Sequence, residues 1–427
     1  MSQELTLLLV TAATVALFIL GTPVILCMGL WIVLASYFAD ALPLSNVGQS
    51  AVLGLKIFAL LAMPLFILTG DLIRAAGIAR RLTDFAHAMF RFLPGQLAVA
   101  TTVASGCFAA ISGSNAATAA TIGRIMIPEM TRRGYHPFFA AATAAAGGTI
   151  GIIIPPSLVF IIYGILLRVS PGELFIAGII PGALMVAAMT AMACWIARRN
   201  AWDVEGVFSL RESVRTFWGA RLGFVGIALA LGGIYAGWFS PTEIAGAVVL
   251  YGLLAGLFLT RQLRWRAVPT VLLESAVING LIAPIVAFSI ILQETFVAVG
   301  VPGLIGGLLE PIASSWTAAI LVSMLVTVVA GCVLESVPCV IILAPVLAPI
   351  AMNAGVDPIH FGIVFCVGIA IGFITPPYGL NLYVTSGITG LPYMPIAMRA
   401  LPYLAALVLV WIPIAFLPQL SLALLGK

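Results

Sequence analysis

The stretch Gly147-Gly-Thr-Ile-Gly-Ile-Ile-Ile-Pro-Pro-Ser157 decides the fold, because a looser copy, Gly368-Ile-Ala-Ile-Gly-Phe-Ile-Thr-Pro-Pro-Tyr378, stands further along the chain. Outward from it, Pro128, Gly134, Pro137, Gly151 and the pair Pro155-Pro156 return as Pro349, Gly355, Pro358, Gly372 and the pair Pro376-Pro377. One constant offset relates them, without a gap. Consecutive prolines remove two backbone donors and push the preceding residue, here Ile154, out of helical geometry. Helix breakers placed twice at matching depths predict a duplicated membrane unit with interrupted helices. Transporters build binding sites at such interruptions.

Composition sets the environment. Hydrophobic residues make up 62% of 427 positions and charged residues 8%, with a mean hydropathy of +1.20. Soluble domains carry roughly 25% charged residues, so this chain reads as one integral membrane domain in a lipid bilayer. The net charge of +4 does not point to nucleic acid, because the arginines lie at segment ends and form no basic tract. The six cysteines fall inside apolar segments without metal-ligand spacing and read as small buried hydrophobes. The N-terminal Met1-Ser-Gln-Glu lacks the basic region of a secretory signal, so residues 5–20 read as a retained span.

Apolar runs predict spans at 5–20, 23–39, 47–73, 137–168, 172–197, 221–238, 243–260, 268–293, 357–389 and 395–419. Two further runs, 97–131 and 316–353, are broken near the middle by small or polar residues. Their halves look short for a full crossing of about 20 residues, which favours re-entrant hairpins. Arg198, Arg199, Arg211, Arg215 and Arg221 in one loop, and Arg261, Arg264 and Arg266 in the next, belong on the cytoplasmic side by the positive-inside rule. With 97–131 as a hairpin, Arg74, Arg80, Arg81, Arg91, Arg132 and Arg133 fall inside too, and both termini lie outside. Matched spans then run in opposite directions, so the repeats are inverted. Between them, Ile78, Leu82, Phe85, Met89 and Phe92 recur at helical spacing with flanking arginines. The pattern reads as a helix lying in the cytoplasmic interface, and it would also suit one packed on protein.

Chemistry concentrates at the tips and breaks. The first tip, Ser112-Gly113-Ser114-Asn115, combines a chain reversal with oxygens suited to a small cation, and the helix start that follows exposes N–H groups to an anion. The competing reading is a small-residue helix crossing. Carbonyls from Gly151 to Ile154 and at Pro155 are freed by the break, with hydroxyls at Thr149 and Ser157 nearby. The second break offers Gly372, Thr375, Pro376, Tyr378, Gly379 and Asn381. The constant offset carries Ser114 and Asn115 onto Glu335 and Ser336. A carboxylate there neutralises a coupling cation, carries a proton, or sits at an external hairpin mouth. Arg124, about 13 Å past Asn115 along a helix, reaches a carboxylate substrate or snorkels to the interface. With Asn115, Thr118, Ser157, Tyr378, Gly379 and Asn381 it makes the candidate substrate set.

Nothing indicates an enzyme: His87, His136 and His360 are scattered, and there is no HExxH or Walker A loop. An intramembrane nucleophile at Ser112 or Ser114 lacks a partnered base. No cofactor is expected beyond coupling ions, and sodium suits neutral oxygens better than a proton does. A proton-coupled carrier and a passive channel remain the alternatives.

The motifs resemble a known family. Ser112–Met130 (SGSNAATAATIGRIMIPEM), Arg133-Gly-Tyr, GGTIGIIIPPS, then Asp357-Pro-Ile-His-Phe-Gly-Ile-Val364 and Gly372-Phe-Ile-Thr-Pro-Pro-Tyr-Gly-Leu-Asn381 are similar to the large membrane subunit of TRAP (tripartite ATP-independent periplasmic) transporters, the DctM-like permeases. The resemblance covers nearly the whole chain. It implies an all-α polytopic protein of the bacterial inner membrane that imports organic acids with sodium by an elevator motion. It also implies two partners, a periplasmic substrate-binding protein and a small four-helix membrane subunit. Mapped onto this chain, residues 1–96 are scaffold spans with the arm helix, 97–168 the first half of the transport domain and 169–315 further scaffold with cytoplasmic loops. Residues 316–389 are its second half and 390–427 a last span. The implied sodium sites place Ser114 and Asn115 near Gly151–Pro155, and Ser336 near Gly372–Pro376.

Overall fold

The computed structural model describes residues 3–20, 22–39, 43, 47–50, 52, 56, 61–202, 206–300, 303 and 315–426. All regular structure among them is helical. Within the expected 47–73 span, residues 51, 53–55 and 57–60 lie outside the described residues. Its end is α3 (Ala62–Ala75), preceded by α1 (Gln3–Ile19) and α2 (Val24–Ala39). After α3 the chain turns by 70° into α4 (Ile78–Phe90), at Gly77, whose φ of 68° is left-handed. Of the expected stripe, Ile78 and Leu82 are buried, together with Ala79 and Ala86, Phe85 and Met89 are half-buried, and Phe92 lies beyond α4 and is exposed. Helix α4 packs against α11 (Leu210–Tyr235) and α5 (Gln96–Ser112).

Helix α11 begins well before the expected start at 221. Ser209 caps it by accepting from the Glu212 N–H at 3.3 Å, and residues expected as basic loop become helix. That extra length meets α4 through an Arg91–Glu212 ion pair at 2.8 Å and a Ser213 hydroxyl donating to the Ala88 carbonyl at 3.3 Å.

Two helical hairpins and two broken helices form the centre. The first hairpin is α5 with α6 (Asn115–Arg132). The first broken helix is α7 (Pro137–Thr149), a 3-10 turn at Ile150–Ile152, then α8 (Leu158–Leu167). The expected 172–197 span is divided into α9 (Pro171–Ala177) and α10 (Ile179–Arg199). Gly178 between them keeps helical geometry, the two run on as one stretch Pro171–Arg199, and a Cβ on Gly178 would lie 2.7 Å from the Ile153 carbonyl oxygen at the first break. Helices α12 (Pro241–Leu254) and α13 (Val268–Ala298) follow. The second hairpin is α14 (Trp316–Val333) with α15 (Ser336–Asn353), and the second broken helix is α16 (Pro358–Gly372) with α17 (Leu380–Thr389). Helices α18 (Tyr393–Phe416) and α19 (Gln419–Leu422) end the chain.

The hairpin arms are 17 and 18 residues, at or just above the expected length. At about 1.5 Å per residue they approach the roughly 30 Å hydrocarbon core. Length alone therefore does not mark them as hairpins; what does is where their tips end. The second arm of each hairpin packs on the second half of the other broken helix: α6 on α17, and α15 on α8. Helices α7 and α16 are buried along almost their whole length, so neither shows one apolar face. Among the described residues, seven helices are long and apolar enough to cross a membrane, or up to eight if the bent α3–α4 pair counts as one.

Candidate functional site

The first tip docks directly on the first break. Gly113 takes φ 60°, and a Cβ there would lie 2.5 Å from the Pro156 carbonyl oxygen, so only glycine fits this turn. The Leu158 N–H donates to the Gly113 carbonyl at 3.4 Å. Ser114 caps α6, accepting from the Ala117 N–H at 3.4 Å. The Thr118 hydroxyl donates to the Ser114 carbonyl at 2.7 Å, so Ser112, 3.1 Å away, donates to Thr118. A Cβ on Gly151 would run into the Ser114 carbonyl and come within 2.8 Å of the Asn115 Cα. The Asn115 amide donates to Asn381 Oδ1 at 3.3 Å, and Asn381 Nδ2 donates to the Ala145 carbonyl at 3.1 Å. The first tip is thereby tied to the second broken helix, a link that sequence spacing does not reveal.

The second tip docks in a related way. The Gly379 N–H donates to the Cys332 carbonyl at 3.1 Å, and Gly379 corresponds to Leu158 at the constant offset. A Cβ on Gly372 would meet the Gly331 carbonyl carbon and lie 2.6 Å from the Cys332 nitrogen. The backbone resting on Gly372 is thus Gly331–Cys332. Leu334 is extended (φ −96°, ψ 148°) and separates the docked turn from the start of α15. Glu335 caps α15 through the Val337 N–H at 3.0 Å, as Ser114 caps α6, while the Ser336 hydroxyl donates to its other oxygen. Cys332, read from sequence as a bland hydrophobe, has its thiol 3.0 Å from the Thr375 carbonyl.

The expected ligand hydroxyls at the two breaks donate to backbone: Thr149 to Ala146 at 2.7 Å, Ser157 to Ile152 at 2.6 Å and Thr375 to Ile371 at 2.8 Å. A donating hydroxyl keeps lone pairs for a cation, although Ser157 also uses its oxygen to cap α8 by accepting from the Phe160 N–H at 3.4 Å. The Ile154 side chain packs against Gly106 and Gly182, leaving only its backbone for ligation. The Pro155-Pro156 and Pro376-Pro377 bonds, between residues expected to free carbonyls, are both cis. Among the described residues no group of three or more His, Cys, Asp or Glu converges on one point. The first docking point offers backbone, hydroxyl and amide oxygens, and the second tip adds the Glu335 carboxylate.

Both tips open into one cavity of about 720 Å³, lined by Ser114, Asn115, Glu335 and Ser336 on one side and by α3 and α13 on the other. The α3–α13 wall carries two carboxylates, Asp71 and Glu274, that sequence reading passed over. Arg74 binds Glu274 at 2.9 Å and Asp71 at 3.3 Å, and Ser275 donates to Asp71 at 2.6 Å. The available signal was an acidic residue inside each of two apolar runs. Arg124 lines the same cavity, is exposed, and has no protein partner among the described residues. Of the candidate substrate residues, Asn115 and Arg124 line the cavity. Thr118, Ser157 and Asn381 are buried, and Tyr378 stands on an exposed face with its ring 4.8 Å from that of Tyr383.

Docked hairpins, interrupted helices and a shared cavity define a membrane transporter architecture. The fold is similar to that of the MtrF antimetabolite efflux pump of Neisseria gonorrhoeae, with TM-score 0.61 and 17% identity over 87% of this chain and 83% of that one. Residues 11–420 match the family described as the DctM component of tripartite ATP-independent periplasmic transporters. The chain is 39% identical to the C4-dicarboxylate TRAP transporter large permease protein of Pseudomonas aeruginosa, over 86% of each. It is 35% identical to the isethionate TRAP transporter permease DctMQ of Oleidesulfovibrio alaskensis over 96% of its own length, and spans 64% of that relative. The chain belongs to the DctM family of TRAP transporter large permeases.

Proposed function

We propose that the chain is the large membrane subunit of a sodium-coupled importer of small organic acids in the bacterial inner membrane. The observation that carries this reading is that both hairpin tips rest on glycines of the two breaks and open into one cavity. Backbone and hydroxyl oxygens at the docking points suit sodium, and the N-termini of α6 and α15 at the cavity present partial positive charge to an anion. Residues 97–168 and 316–389 form the moving transport domain, related as inverted repeats, and α3, α11, α12 and α13 belong to the scaffold against which it slides. The crossed packing of α6 on α17 and α15 on α8 supports that symmetry. Because the cavity runs beside Arg74 and Arg124, and arginines mark the cytoplasmic side, this conformation faces inward. A periplasmic binding protein delivers cargo, and a small four-helix subunit braces the scaffold, as the tripartite family name supports.

Uptake of acid into proteoliposomes holding the chain with both partners should require an inward sodium gradient. Equal uptake with potassium in its place would defeat sodium coupling. A second reading, proton coupling, is favoured by Asp71, Glu274 and Glu335 on the cavity wall; uptake driven by a pH gradient without sodium would establish it instead.

A further inference from the structure

Charge on the cavity wall is unevenly committed. Arg74 is held between two carboxylates, those of Asp71 and Glu274, so the α3–α13 wall keeps a surplus negative charge. At the second tip, both oxygens of Glu335 are engaged by Ser336 and the Val337 N–H, but among the described residues its charge is not matched by a cationic side chain. Arg124, on α6, is the one cationic side chain among the described lining residues that no carboxylate holds. A guanidinium with all its donors free is suited to a planar carboxylate or a sulfonate.

We propose that the cavity selects organic acids bearing a single anionic group, seated on Arg124, and discriminates against dianions. This rests on the reading of the chain as an organic-acid carrier and goes further in naming the charge class of cargo. One anionic end of a ligand meets Arg124. A second must then approach either the Asp71–Arg74–Glu274 group or Glu335, where like charge opposes it in a site less screened than bulk water. Side chains such as Ile67, Phe108, Ile152 and Ile278 make up much of the remaining wall and offer a second anion no donor, and the N-terminus of α15 is already taken by the Glu335 carboxylate through the Val337 N–H. The two relatives differ in this respect by name, since isethionate carries one negative charge and a C4-dicarboxylate two.

The test uses the purified full-length permease in sodium chloride, so that a binding protein cannot impose its own selection. Butyrate and succinate share four carbons and differ by one carboxylate; isethionate adds a sulfonate monoanion. Stabilisation against thermal unfolding is read as a function of ligand concentration at neutral pH. The expected result is half-maximal stabilisation by butyrate or isethionate at a concentration about tenfold or more below that for succinate. Arg124→Gln should remove the monoanion effect, and Arg124→Lys should retain part of it. Glu274→Gln should narrow the gap by strengthening succinate. Equal or tighter binding of succinate overturns the inference, as does undiminished monoanion binding in Arg124→Gln. Absence of binding by all three acids overturns it as well. Loss of sodium dependence with the monoanion preference intact would instead strike only at the coupling reading.

Discussion

A methyl group on Gly151 would have to share space with the Ser114 carbonyl, and one on Gly372 with the carbonyl carbon of Gly331. Both obstacles are backbone, which cannot swing aside as a side-chain end can. Gly151→Ala and Gly372→Ala are therefore expected to cost about 1–3 kcal/mol through overpacking and to weaken stabilisation by sodium. Gly246→Ala, which has open space around it, is the matched control. Thermal unfolding with and without sodium checks this, and indistinguishable behaviour of all three variants would remove the docking argument. Asn381 is the second residue-scale test. Replacing it with alanine leaves the Asn115 amide and the Ala145 carbonyl without their partner, a loss of about 1–3 kcal/mol for buried polar groups. A wild-type sodium response in Asn381→Ala would show that the bridge between halves has no part in ion binding. Both glycines were legible in sequence because they recur at one offset. The role of Cys332 was not, because a single cysteine in an apolar run looks the same whether it packs or donates.

Helix α4 shows what an element does with a stripe of apolar residues. Leu82 is fully buried and faces Gly223 of α11 so closely that a Cβ there would lie 2.7 Å from its Cδ2. Leu82→Ala should cost about 2–5 kcal/mol, the usual range for a large-to-small change in a packed core. Arg91→Ala, which breaks an ion pair whose partners are 42% and 36% exposed, should cost under about 1 kcal/mol. Comparing unfolding midpoints of the two variants separates these; a larger loss for Arg91→Ala would mean that charge, not packing, fastens the arm. The stripe itself was plain from its period. Its partner was not, because Arg211 and Arg215 made the start of α11 look like loop, whereas the Ser209 cap makes it helix.

At the scale of the whole molecule, α3 meets the first hairpin where a Cβ on Gly70 would lie 3.3 Å from the Ser112 Cβ, close to the separation a disulfide spans. If the hairpins slide past the scaffold, Gly70→Cys with Ser112→Cys should cross-link under oxidant and arrest uptake, and reductant should restore it. Full uptake by cross-linked protein would rule out the sliding motion. Ser112→Cys alone controls for any effect of changing the tip. By itself, the sequence determined that the chain lives in lipid, where its helices break and that the breaks are paired, because proline, glycine and hydropathy act on the backbone locally. Tertiary structure alone decided that Asn115 meets Asn381, that Gly331 and Cys332 rest on Gly372, and that Asp71, Arg74, Glu274 and Arg124 share a cavity. Those facts depend on how each helix is rotated and which helix it packs beside. That is set by long-range contacts that no local pattern encodes.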